Sequence, residues 1–271
     1  MNLELPPPVH GQLPKPPLAL VVCQIRFETK AAVGDGKTAL HFHEELGGST
    51  GHYGRPEKAD VRSLAVEVDG ESGAFRTLPA GPALNGWRLK GREEPWLVSL
   101  MPDFVSLETT GAYSSWKGFR ARLAEVLAAA EVVLAPETER RLGLRYVDQI
   151  DEPEVAAPRD WVGYVDPSLL GMAMHPTLGA AVTKAQQQFE LRPSEEFGCV
   201  VRQGFVPDEG RPGRQLFVLD TDVFREGVRL FDATDVLVAA DAFHTFALQV
   251  FQQSITEKLF DLFGASDAAA H

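Results

Sequence analysis

The side chains in this chain with the means to do chemistry fall in a few short strings, and His41-Phe42-His43-Glu44-Glu45 is the first of them. Imidazoles and carboxylates are the usual ligands of zinc and non-haem iron. On a helix His41 and His43 point about 200° apart and cannot share an ion, whereas His41 can pair with Glu44 or Glu45. No third ligand follows at a motif spacing, so no metal is assigned. Asp220 and Asp222 lie two apart at the end of an expected strand and face one side of it, as acid/base pairs often do. The bland reading of the same pair is a turn or helix cap. Asp241 and His244 stand three apart on the last expected helix, where a carboxylate can orient an imidazole. Arg145, on a strand close to Arg140 and Arg141, completes the ligand-binding candidates: Asp220, Asp222, Arg145 and His244.

Other chemistries lack their residues. Gly34-Asp35-Gly36-Lys37-Thr38 ends like a phosphate loop, but position 31 is Ala where that motif needs its first glycine. No serine sits in a Gly-x-Ser-x-Gly elbow, and Cys23 and Cys199 lie in apolar strand-like runs without a motif around them. Buried free thiols are the simplest account of the two, and spacing alone leaves a disulfide between them open. No catalytic residue, metal or cofactor is assigned, and the reading leans away from an enzyme.

Charge sets a further bound. With 26 Lys+Arg against 38 Asp+Glu the formal net charge is -12, and such a field repels phosphate backbones. The opening Met1-Asn2-Leu3-Glu4-Leu5-Pro6-Pro7-Pro8 has neither the basic nor the apolar region of a signal peptide. No apolar run approaches the roughly 20 residues that span a bilayer. The expectation is a cytoplasmic protein that binds neither nucleic acid nor membrane.

The elements that must position these residues follow from periodicity. A proline-rich arm over 1–17 leads into a strand at Leu18 to Glu28, and strands are expected at 64–68, 86–90, 96–100, 104–108 and 142–150. A short helix fits 39–46, and a longer one starts near Ser114 or Ser115 with Trp116, Phe119, Leu123, Val126 and Leu127 on one stripe. After an acidic, proline-containing boundary at 151–158, strands are expected at 184–192, 198–206 and 215–220. A helix carrying Phe243, Phe246, Val250, Phe251, Ile255 and Leu259 then ends at Gly264. The fold class is α+β, in two sequential halves, 18–150 and 159–264, each a mostly antiparallel sheet packed against an amphipathic helix, with a tail over 265–271 expected to be disordered.

Three stretches are similar to an uncharacterised family of about this length, distributed sporadically through bacteria and archaea. They are Pro16-Pro17 through Arg26-Phe27; Trp96-Leu97-Val98-Ser99-Leu100 on through Phe104, Thr109, Trp116, Phe119 and Leu123 to Leu142-Gly143-Leu144-Arg145-Tyr146; and Leu219-Asp220-Thr221-Asp222-Val223 with Phe243, His244, Phe251, Ile255, Thr256 and Gly264. The resemblance implies no activity, because none is established for the family, and its matching positions suit a shared fold better than a shared active site.

Two functions remain in play. One is a non-catalytic protein-binding or adaptor protein, self-association included, with the proline-rich arm suited to docking on a neighbouring chain. The alternative is a small-ligand-binding protein or enzyme with a pocket between the two halves.

Overall fold

The computed structural model describes residues 3–9, 13, 16–68, 75–111, 113–151, 154–208 and 210–264, and of 60–68 and 75–84 the backbone alone. Strand β1 (Leu18–Phe27) sets the pattern: Val21, Cys23, Ile25 and Phe27 are buried, while Val22, Gln24 and Arg26 point the other way and stay half-buried. Period-two alternation of this kind marks a sheet with one face packed and one face wet. The remaining strands are β2 (Glu57–Val68), β3 (Phe75–Lys90), β4 (Trp96–Met101), β5 (Phe104–Thr109), β6 (Thr138–Ile150), β7 (Ala185–Leu191), β8 (Gly198–Pro207) and β9 (Gln215–Leu230). All pair antiparallel in one nine-stranded sheet of order β2-β3-β4-β5-β1-β6-β9-β8-β7.

The chain is thus α+β, and its sheet runs without a break through β1 and β6 at the centre. Each of these two strands opens a similar course. After β1 the chain returns through β2, β3 and β4 to β5, which pairs with β1; after β6 it returns through β7 and β8 to β9, which pairs with β6. A long helix follows each return: α2 (Trp116–Leu134) after β5 and α4 (Ala233–Ser254) after β9.

Both helices lie on the same side of the sheet and touch each other, α2 also meeting α1 (Gly36–Glu45). Ser115 caps α2 by accepting a hydrogen bond from the Gly118 N–H at 3.2 Å, as its type predicts. Its buried stripe is Phe119, Leu123, Val126, Leu127, Ala130 and Leu134. Asp232 caps α4 from the Thr234 and Asp235 N–H groups. Side chains from β1, β4, β5, β6, β8 and β9 join these helices in one continuous core.

Three expectations need correction. Strand β9 does not stop near Asp220 but continues to Leu230, so Asp220 and Asp222 lie mid-strand and are neither turn nor cap. The last helix does not run through to Gly264. It breaks at Ile255, where the chain is extended and bridges Val165; the Ser254 carbonyl accepts from the Asp166 N–H, and Thr256 starts a separate helix, α5 (Glu257–Leu262). Backbone pairing with the segment after residue 158, which holds the short α3 (Pro167–Leu170), outweighs helical periodicity there. The arm, third, packs on its own body: Leu5 and Leu13 meet the core, and Gln249 donates to the Leu5 and Pro6 carbonyls. Residues 69–74 and the 265–271 segment expected to be disordered lie outside the described residues.

Cys23 and Cys199 are free and buried, on β1 and β8. Three strand spacings separate them, about 14 Å, which no disulfide spans.

A buried ion pair ties the second long helix to the sheet. Arg225 donates to both Glu139 oxygens, at 2.8 and 2.7 Å, and to Asp235 in the first turn of α4 at 2.6 Å. Removing the cation strands the Glu139 charge, whose side chain is 1% exposed. Arg225→Met is expected to lower unfolding free energy by about 3 kcal/mol, the low end for a broken buried pair because Arg229 stands 3.7 Å from Glu139. Urea denaturation measures this, and adding Glu139→Gln should restore most of the loss.

Candidate functional site

On the packed side of the sheet, one gap is left between the two long helices. Its floor is Tyr146 and Asp148 on β6 and Thr221 on β9, where Tyr146 pairs directly with Thr221. Tyr113 and Trp116, at the entry to α2, form one wall, and His244, Ala247 and Phe251 on α4 form the other. The arm closes the top with Leu13, Pro16 and Pro17. The cavity holds about 240 Å³, roughly eight times the ~30 Å³ share of a water molecule.

The aromatic groups hold one another in place. The Trp116 and His244 rings stack at 4.6 Å with planes 11° apart, and Tyr113 meets Tyr146 edge to face at 6.1 Å. The Tyr146 hydroxyl lies 2.9 Å from His244 Nδ1; with Tyr146 donating, Nδ1 accepts and Nε2 carries the imidazole proton. Burial pushes the His244 pKa down to about 4, more than nearby Asp241 raises it, so the ring is neutral at pH 7. Burial pushes Tyr113 up to about 12 and Tyr146 well above the ordinary phenol value.

Two polar groups in this apolar setting lack partners. The Thr221 hydroxyl is buried with no hydrogen bond. Asp148 is 4% exposed, and among the described residues no donor reaches its carboxyl oxygens. Burial first, and the charge of Asp220 second, raise its pKa to about 8, so it is protonated at neutral pH. Unsatisfied groups of this kind are costly in a core and are a recurrent mark of binding sites.

The residues singled out by sequence are divided by the sheet. His244 enters the pocket; Asp220, Asp222 and Arg145 lie on the opposite, helix-free face and do not meet it. There Arg145 holds Asp220 with both nitrogens, at 2.7 and 2.9 Å, and Arg202 reaches the same carboxylate at 3.3 Å. Arg141 binds Asp222 at 3.1 Å and lies over the Phe224 ring. Arg141, Arg145 and Asp222 are among the residues that line a groove of about 870 Å³ across the open face. Burial raises the Asp222 carboxyl against the pull of Arg141 and Arg145, and Glu108 likewise against Arg88.

The suggested Asp241–His244 pairing does not form. Asp241 accepts instead from the Trp116 indole N–H at 2.8 Å and from Arg120 Nε at 2.8 and 3.0 Å, because the Trp116 ring covers the imidazole and brings its own donor to the carboxylate. His41 and His43 point apart: His41 meets Glu45 at 3.5 Å in solvent, and His43 is buried 3.3 Å from the Tyr53 carbonyl. Asp35 caps α1 through the Lys37 N–H, so the phosphate-loop-like string ends on its own carboxylate. Among the described residues no group of three or more His, Cys, Asp or Glu side chains could hold a metal ion, and no helix is long and apolar enough to cross a membrane.

No family model matches the chain, and no match to it is found among curated proteins or solved structures. The floor of the pocket escaped sequence reasoning, yet a signal was there. Leu142, Leu144, Tyr146, Asp148 and Ile150 share one face of β6, and an acid in an otherwise apolar inward series is out of place.

Because the folded pKa of Asp148 is raised above its unfolded value, the folded state binds more protons between about pH 4 and 8, and stability falls as pH rises through that window. The slope from this residue is at most about 1.4 kcal/mol per pH unit. Asp148→Asn should flatten the profile and leave the variant more stable than the parent at pH 8, as thermal melts across pH 5–8.5 would show.

Proposed function

We propose that this chain binds a small, mainly apolar molecule in the pocket beneath the proline-rich arm. The observation that carries the reading is the pair of unpartnered polar groups, the Thr221 hydroxyl and the Asp148 carboxyl, facing a cavity with aromatic walls. An apolar enclosure with a few convergent polar groups is the common form of a ligand site. Binding is the role it supports: His244 is neutral and held in place by Tyr146 and Trp116.

The pocket sits where two halves would meet. The matching courses of β1 to α2 and β6 to α4, joined by pairing of β1 with β6, support the division into 18–150 and 159–264 and a two-fold relation between them. Two buried free thiols support a reducing, cytoplasmic setting. The carboxylates that pair with the arginines of the open face, together with the net charge of -12, argue against a nucleic-acid role.

A second reading, protein docking or self-association, is favoured at the sheet's β7 edge. There one strand has no neighbour on its outer side, Phe189 is exposed on it, and Met172, Met174 and Leu178 are exposed in the segment before it. Edge strands of this kind accept a further strand from another chain.

Thermal-shift screening of metabolites tests the first reading: a ligand at a hundred times its dissociation constant adds about 2.7 kcal/mol, and Ala247→Phe, which fills the cavity, should abolish the shift. Sedimentation of the unliganded chain tests the second. A dimer that Phe189→Lys converts to monomer supports it, and a monomer at all concentrations with no captured partner removes it.

A further inference from the structure

The pocket has a sign. Among the described residues neither Lys nor Arg lines it, and His244 is uncharged at neutral pH, so the described lining offers an anionic ligand no counter-charge for the water it loses. The one ionisable oxygen pair facing the cavity belongs to Asp148, which the fold leaves without a donor of its own. The rings of Tyr113, Tyr146 and Phe251 line the same cavity, and so does that of Trp116, which is itself stacked on His244 and Phe119. Aromatic faces attract cations, and they do so more strongly where water is excluded. The chain's net charge of -12 has the same sign as the Asp148 carboxylate.

We propose that the ligand carries a positively charged amine, seated among the rings of Tyr113, Trp116, Tyr146 and Phe251, with its N–H groups donating to the Asp148 carboxylate and the Thr221 hydroxyl. This rests on the pocket being a ligand site. An ammonium group supplies both of what Asp148 lacks, hydrogen-bond donors and an opposite charge. The rest of the molecule is compact and apolar, in keeping with a cavity of about 240 Å³.

Binding is then coupled to proton release. The groups around Asp148 are Tyr113 from the α2 entry, Tyr146 on its own strand, Asp220 and Thr221 on β9, and His244 on α4; across on β1 its register partner is Leu18, which does not titrate. The two phenols and His244 are neutral from pH 6 to 8, so among the described residues of the pocket Asp148 is the group that changes charge there. The unliganded carboxyl carries a proton below about pH 8 and must give it up to pair with the amine. Affinity therefore rises with pH, by about tenfold per unit between 6 and 8, and levels off above.

Isothermal titration with 2-phenylethylamine, its neutral isostere propylbenzene and the anion 3-phenylpropionate tests the proposal in the full-length protein. The expected order is amine well above isostere, with the anion silent. The amine's affinity should climb from pH 6 to 8, and one proton per site should be released, read from the dependence of the binding heat on the buffer's ionisation enthalpy. Asp148→Asn should cost the amine at least tenfold in affinity and remove its pH dependence, while propylbenzene binds as before and so reports an intact pocket. The amine idea is overturned if the isostere or the anion binds as tightly as the amine, or if Asp148→Asn leaves amine affinity unchanged. Binding by none of the three probes removes the pocket reading itself, and the amine with it.

Discussion

The antiparallel pairing of β1 with β6 is the contact on which the remaining structure depends. It runs from Leu18 opposite Asp148 to Phe27 opposite Glu139, at the centre of the one nine-stranded sheet, with β5 beyond β1 and β9 beyond β6. Because each long helix follows the strand that pairs back to its own side of this seam, α2 and α4 are delivered to the same face and meet over the centre. The gap under that meeting point is the pocket. Its floor is β6 itself with the facing residue of β9, so the seam that unites the sheet also supplies the polar groups of the site.

Charge is handled differently on the two faces. On the open face, arginines and carboxylates from β6, β8 and β9 neutralise one another, Asp222 partly exposed beside Arg141 and the buried Asp220 held by both Arg145 and Arg202. On the packed face the same residue types are few, and each is decisive. Arg225 and Glu139 form a bidentate pair that anchors the start of α4, whereas Asp148 is left with no partner. Two buried carboxylates on one strand are thus treated oppositely, Glu139 held by a bidentate cation and Asp148 without a donor among the described residues.

Local signals were legible where packing did not overrule them. The Ser115 cap, the α2 stripe from Phe119 to Leu134 and the alternation of β1 and β6 were readable because each depends on residues close in sequence. The continuation of β9 past Asp222 was not, since its pairing with β6 and β8 recruits Arg225 and Glu226, which have little strand preference of their own. The break at Ile255 was equally hidden: the helical pattern continues through it, and the backbone of residues 164–166, some ninety positions away, ends the helix.

Of the four site residues read from the chain, Asp220 and Asp222 were read as facing one side, because residues two apart on a strand share a side, and the structure adds Arg145 to them as the register partner of Asp222. His244 was separated from them by the thickness of the sheet, which no spacing along the chain reveals. The amino-acid sequence alone determined the α+β class, the main strands, the acidic balance and the reactive side chains within reach of one another along the chain, since these follow from composition and short-range period. The tertiary structure alone decided that Asp148 is buried without a donor, that Trp116 takes Asp241 away from His244, and that the arm roofs a cavity between two helices. Each of those is a contact between residues far apart in the chain, set by which strands pair at the seam.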